Sequence, residues 1–104
     1  MTEFCDVACY KRTFSTDEMK TYDALREAIF RDLIHTNELV DGYAFRFPFD
    51  AHLLRRFAEW IPLELKCCPF LKAAISITCD DGIILALSGP AEIKTFLLQE
   101  LKLA

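Results

Sequence analysis

The sequence predicts an α+β fold: an antiparallel sheet of three to four strands with helices packed mainly on one face, in the order (β)αβαββα. Three observations carry this. Apolar residues recur at helical spacing after Ser15, the run Tyr43–Phe49 alternates with period two, and two apolar stretches flank Asp80-Asp81-Gly82.

Residues 4–10, with Cys5, Val7 and Cys9 on one side, are expected to form a short first strand. The first helix has a readable start, because Ser15 and Glu18 fit a capping box and Asp17 and Glu18 suit the positive end of the helix dipole. Met19, Tyr22, Leu25, Ile29 and Leu33 form its apolar stripe. Glu27 and Arg31, four apart, are placed to pair on the exposed side. The helix is expected to end near His35, whose ring would complement the dipole there.

Asp41-Gly42 marks a turn or bulge. Tyr43, Phe45, Phe47 and Phe49 then line one side of a strand, as core or as a dimer face, and Pro48 favours an edge position or the strand's end. Asp50 suits the N-cap of a second helix with Leu53, Leu54, Phe57, Trp60 and Ile61 on its apolar face. Pro62 should kink that helix or open a turn in it, and Pro69 should end it at about Cys68. Residues 71–79 and 83–88 read as a hairpin. A three-residue loop with Gly82 in the left-handed conformation pairs Cys79 with Ile83, Ile77 with Leu85 and Ile75 with Leu87, which puts Cys79 on the core face. Ser88-Gly89-Pro90 opens the last helix, with Ile93, Phe96, Leu97 and Leu101 buried.

The length of 104 residues leaves room for one domain, 1–104. Apolar residues make up 53% and charged residues 27%, enough core material to argue against disorder. The net charge of −4 and the scattered basic residues disfavour nucleic acid as a partner. No apolar run approaches the roughly 20 residues of a membrane span, and Met1-Thr2-Glu3 lacks the pattern of a signal peptide. The expectation is a cytoplasmic protein whose five cysteines are reduced thiols.

Chemistry gathers at Glu64, Cys67 and Cys68. At about 100° per residue from Leu53, Glu64 falls at about 20°, inside the apolar face, with Cys67 at about 320° and Cys68 at about 60°. Arg55, Glu59 and His52 point the other way, His52 into solvent. A carboxylate turned toward a core between two thiols needs compensation, because burial disfavours the charged forms unless a cation or hydrogen-bond donors offset it. Arg46 and Lys72 are candidate partners for Glu64. Zinc or another thiophilic metal ion or metalloid would be a suitable cation, since thiolates prefer soft ions. Adjacent cysteines in a regular helix diverge by about 100°, so both reach one ion only where the backbone opens, which Pro69 provides. Further donors would come from Glu64, a distant cysteine or a second subunit.

The segment Glu64-Leu65-Lys66-Cys67-Cys68-Pro69-Phe70-Leu71 resembles the E-x-x-C-C-P-F-[LF] signature of a group of small bacterial proteins of unknown function. The flanks Asp41-Gly42-Tyr43-Ala44-Phe45-Arg46-Phe47 and Ser88-Gly89-Pro90 are similar to it as well, so the likeness spans roughly residues 38–98. Some members are encoded near mercury- or other metal-responsive genes, which implies a soft-metal role and brings no established activity. Ala91-Glu92 stand where the pattern has a small residue, and the first 15 residues carry no resemblance, so Cys5 and Cys9 inherit no role.

Three functions follow. The leading one is binding of a soft metal or metalloid at Cys67 and Cys68, assisted by Glu64. The alternatives are a homodimeric interaction module with packed cysteines, and an enzyme using one thiol in redox or transferase chemistry. The enzyme is disfavoured by the absence of a C-x-x-C motif and of a histidine nearby in sequence.

Overall fold

A computed structural model describes residues 15–101, without the side chains of Cys67 and Glu100. The expected first strand at residues 4–10 lies outside the described residues. Helix α1 (Thr16–Phe30) is followed by strands β1 (His35–Leu39) and β2 (Gly42–Phe47), helix α2 (Ala51–Cys67), strands β3 (Lys72–Thr78) and β4 (Gly82–Ser88), and helix α3 (Ile93–Glu100). The fold is α+β. Its antiparallel sheet has the order β1-β2-β4-β3, so β4 inserts between β2 and β3, the two strands that α2 connects.

The α1 start follows from local chemistry. Ser15 Oγ accepts from the Glu18 N–H at 3.1 Å while Glu18 Oε1 accepts from the Ser15 N–H at 2.9 Å. Tyr22, Arg26 and Ile29 are its buried residues. The helix ends at Phe30, one turn earlier than expected, with Arg31 as its C-cap. Glu27 accordingly reaches Arg26, at 3.8 Å, and not the expected Arg31. His35 is not a helix-end residue: it opens β1, where its Nε2 lies 2.8 Å from Asn37 Oδ1. The polar run His35-Thr36-Asn37-Glu38 becomes a strand because β2 offers it a partner, the Ile34 N–H donating to the Arg46 carbonyl and Thr36 lying opposite Phe45.

In β2, Phe45 and Phe47 are fully buried and Tyr43 partly so, while Phe49 lies beyond the strand and is exposed. Pro48 therefore stops an interior strand and marks no edge. Asp50 caps α2 by accepting from the His52 N–H at 2.8 Å. Helix α2 runs through Pro62 to Cys67. A proline costs one intrahelical bond, and the buried face of Leu53, Phe57, Trp60 and Glu64 continues across it. Pro69 acts as expected. Cys68 adopts φ −136° and ψ 89°, outside the α region that the residue before a proline avoids.

The β3–β4 register differs from expectation by two residues. Ile77 faces Ile83, Ile75 faces Leu85, Ala73 faces Leu87, and Cys79 sits exposed in the turn. The apolar faces still match, because a shift of two preserves side-chain parity. Gly82 has φ +77°, and a Cβ there would lie 2.3 Å from the Phe47 carbonyl oxygen, so the loop closes against β2. Gly42 is held just as closely: a Cβ would meet the Leu87 carbonyl oxygen at 1.9 Å. Helix α3 begins after a turn in which the Ile93 N–H donates to the Pro90 carbonyl, three residues later than Pro90 itself suggested. Its Ile93 and Leu97, with Leu101 just beyond its end, join the core of α1, α2 and the helix-side residues of the sheet. Among the described residues, no helix is long and apolar enough to cross a membrane.

Candidate functional site

Glu64 lies on the core side of α2, one turn beyond Trp60, and is only 1% exposed. The expected cation partners are elsewhere. Arg46 and Lys72 project from the sheet face opposite the helices, as their register shows, and Arg46 Nε donates to the Asp81 carbonyl at 3.0 Å. The partner that structure adds is Tyr22, whose hydroxyl donates to Glu64 Oε1 at 2.5 Å across the α1–α2 interface. At that length the contact is a short O–H···O bond, made where water cannot compete with it. Trp60 fixes the donor: its ring stacks on Tyr22 with centroids 6.1 Å apart, and Phe30 meets Trp60 edge-on at 5.8 Å. The Trp60 Nε1 is buried and has no hydrogen-bond partner among the described residues.

Cys68 is fully buried and closes the last turn of α2, its N–H donating to the Glu64 carbonyl at 2.9 Å. Its own carbonyl accepts from the Leu71 N–H at 3.0 Å, which turns the chain toward β3. Glu64 and Cys68 thus stand one helical turn apart on the same face, as the helical wheel placed them. Cys67 is the last residue of α2, and its side chain lies outside the described residues. Cys5 and Cys9 lie outside them as well. Cys79 is far from a core role and from this helix end, in the β3–β4 turn.

Helix termini set the electrostatics. The free carbonyls at the end of α2 carry about half a negative charge, which favours cations and disfavours thiolates. On the solvent side Lys66 offsets part of that charge and bonds Glu18 of α1 at 3.0 Å, tying the two helices at this end. Glu18 is held below its ordinary carboxyl value of 4.5, first by the Ser15 backbone N–H and then by the Lys66 side chain. Among the described residues no three His, Cys, Asp or Glu side chains gather closely enough to hold a metal ion. Glu64 and Cys68 supply one oxygen and one sulfur.

Tyr22 and Arg26 were not legible as site residues. A signal for Tyr22 existed: its hydroxyl lies on the apolar stripe of α1 as Glu64 lies on that of α2, and a buried tyrosine hydroxyl normally finds a partner. Arg26, buried one turn beyond Tyr22, is served by Asp23 at 3.3 Å on its own helix. No family model matches the chain, and no curated protein or solved structure matches it either.

Proposed function

We propose that this protein binds a thiophilic metal ion or metalloid in the cytoplasm through Cys67 and Cys68, with Glu64 supplying an oxygen donor or balancing charge. The observation that supports it is the buried Glu64 carboxylate sharing the negative end of α2 with the buried Cys68. A bound soft cation would offset the carboxylate, the thiolate it displaces a proton from, and the helix-end carbonyls together. The same electrostatics count against a catalytic thiol, because low-pKa thiolates form beside positive groups and helix N-termini. The resemblance of Glu64–Leu71 to proteins encoded near metal-responsive genes points the same way.

A second reading, a packing role for Cys68, is favoured by its place in the apolar core with Leu71 and Trp60. The two separate cleanly. Reduced protein is titrated with mercury(II), arsenite and zinc, with proton release recorded. A chain retaining only Cys67 and Cys68 should take up one equivalent, and a Cys67→Ser/Cys68→Ser chain retaining the other three thiols should not. Equal uptake by both chains sinks the metal reading and leaves the packing one.

A further inference from the structure

Among the described residues the sheet has two edge strands, β1 and β3, and they are built differently. β1 presents His35, Asn37 and Glu38 to solvent, the polar and charged residues that keep an edge strand from pairing with another chain. β3 has seven residues, and between Lys72 and Thr78 it contains neither a charge nor a proline. Ile75 and Ile77 point to the helix-bearing side of the sheet, yet they are 42% and 44% exposed, while their β4 partners Leu85 and Ile83 are fully buried. An apolar edge of this kind is a template for a further strand.

We propose that β3 pairs antiparallel with β3 of a second copy of this chain, continuing the sheet through both copies with the helices of each on the same face. The occupant is identified by self-complementarity. A two-fold axis through Ser76 sets Ile75 opposite the partner's Ile77 and Ile77 opposite the partner's Ile75, the apolar cross-strand pairing the edge lacks. The same axis brings Lys72 to the partner's β3–β4 turn, which carries Asp80, at both ends of the joint. Lys72 and Asp80 are exposed, and neither has an ion pair among the described residues. Within one chain the length of β3 separates Lys72 from the turn that holds Asp80, about 20 Å at about 3.3 Å per residue. They can therefore meet only between copies. Any other register that keeps the isoleucines on one face loses one of the two matches.

The test uses the full reduced chain, so that no Cys79 disulfide contributes, and measures mass by sedimentation over a wide concentration range at low salt. The mass should rise from 12.0 kDa toward twice that value. Lys72→Glu and Asp80→Lys should each weaken the dimer about five- to tenfold, because each turns two attractive pairs into repulsive ones, and the double exchange should restore it. Ile77→Lys should give a monomer with unchanged circular dichroism. A chain that stays at 12.0 kDa at every concentration leaves the edge to some other strand and overturns the proposal. So does a dimer that survives Ile77→Lys, or a double exchange no more dimeric than the single ones. Metal uptake at Cys67 and Cys68 is unaffected by these variants, so the two proposals stand or fall separately.

Discussion

A buried polar contact and a surface one both join α1 to α2, and a glutamate takes part in each. In the interior, the Tyr22 hydroxyl donates to Glu64, with both residues out of water. At the surface, Lys66 reaches Glu18 at 3.0 Å, with both partners exposed. By formal charge the surface contact is the stronger, since it joins two ions. By consequence it is the weaker, because water and salt screen exposed pairs and would solvate either partner alone. A buried carboxylate has no such alternative. Losing the Tyr22 hydroxyl leaves a desolvation cost that bulk water does not repay.

Five experiments probe that comparison. Tyr22→Ala removes the hydroxyl and the ring stacked on Trp60, and should destabilise the fold by about 3–5 kcal/mol in urea denaturation. Tyr22→Phe keeps the ring and isolates the hydroxyl, with an expected loss of about 1–3 kcal/mol. Adding Glu64→Leu to Tyr22→Phe should recover part of that loss, because two apolar groups replace a buried carboxyl group that has lost the Tyr22 donor. A double variant no more stable than Tyr22→Phe would break the comparison. Lys66→Ala should have a small effect that disappears in high salt, seen as converging melting curves. The smallest effect is titration of Glu18. Its carboxyl is lower in the folded chain than its ordinary 4.5, chiefly through the Ser15 N–H. Its contribution is therefore fully present above pH 4.5 and fades as the pH falls through the lower folded value. Wild type should lose its advantage over Glu18→Gln in that acid window.

The parts of the fold legible from sequence are those where one strong local signal meets no competitor. Ser15 and Glu18 cap α1, Asp50 caps α2, Pro69 ends it, and the spacing of Leu53, Phe57 and Trp60 is enough to turn Glu64 inward. Strand β1 was missed because His35-Thr36-Asn37-Glu38 carries no alternation; its conformation comes from β2, a partner that propensity cannot see. The alternation in β3 and β4 predicts the correct faces and a register two residues off. Parity fixes which side chains point inward, whereas the contact of Gly82 with Phe47 of a third strand sets the shift. Cys79 lost its core position through that shift. For the site, the depth of Glu64 could be read from α2 alone. Its bond to Tyr22 spans 42 residues and depends on how two helices meet.

The placement of β4 bears on how the chain assembles as it is synthesised. Phe45 and Phe47 precede by about forty positions the strand that lies beside them, since Leu85 and Ile83 are their neighbours across the sheet. Until β4 emerges from the ribosome, the β1–β2 hairpin has one partnerless side and α2 has nothing to cover but an unfinished surface. Nascent chains arrested before Gly82 should therefore bind holdase chaperones, and those extended past Ser88 should be released.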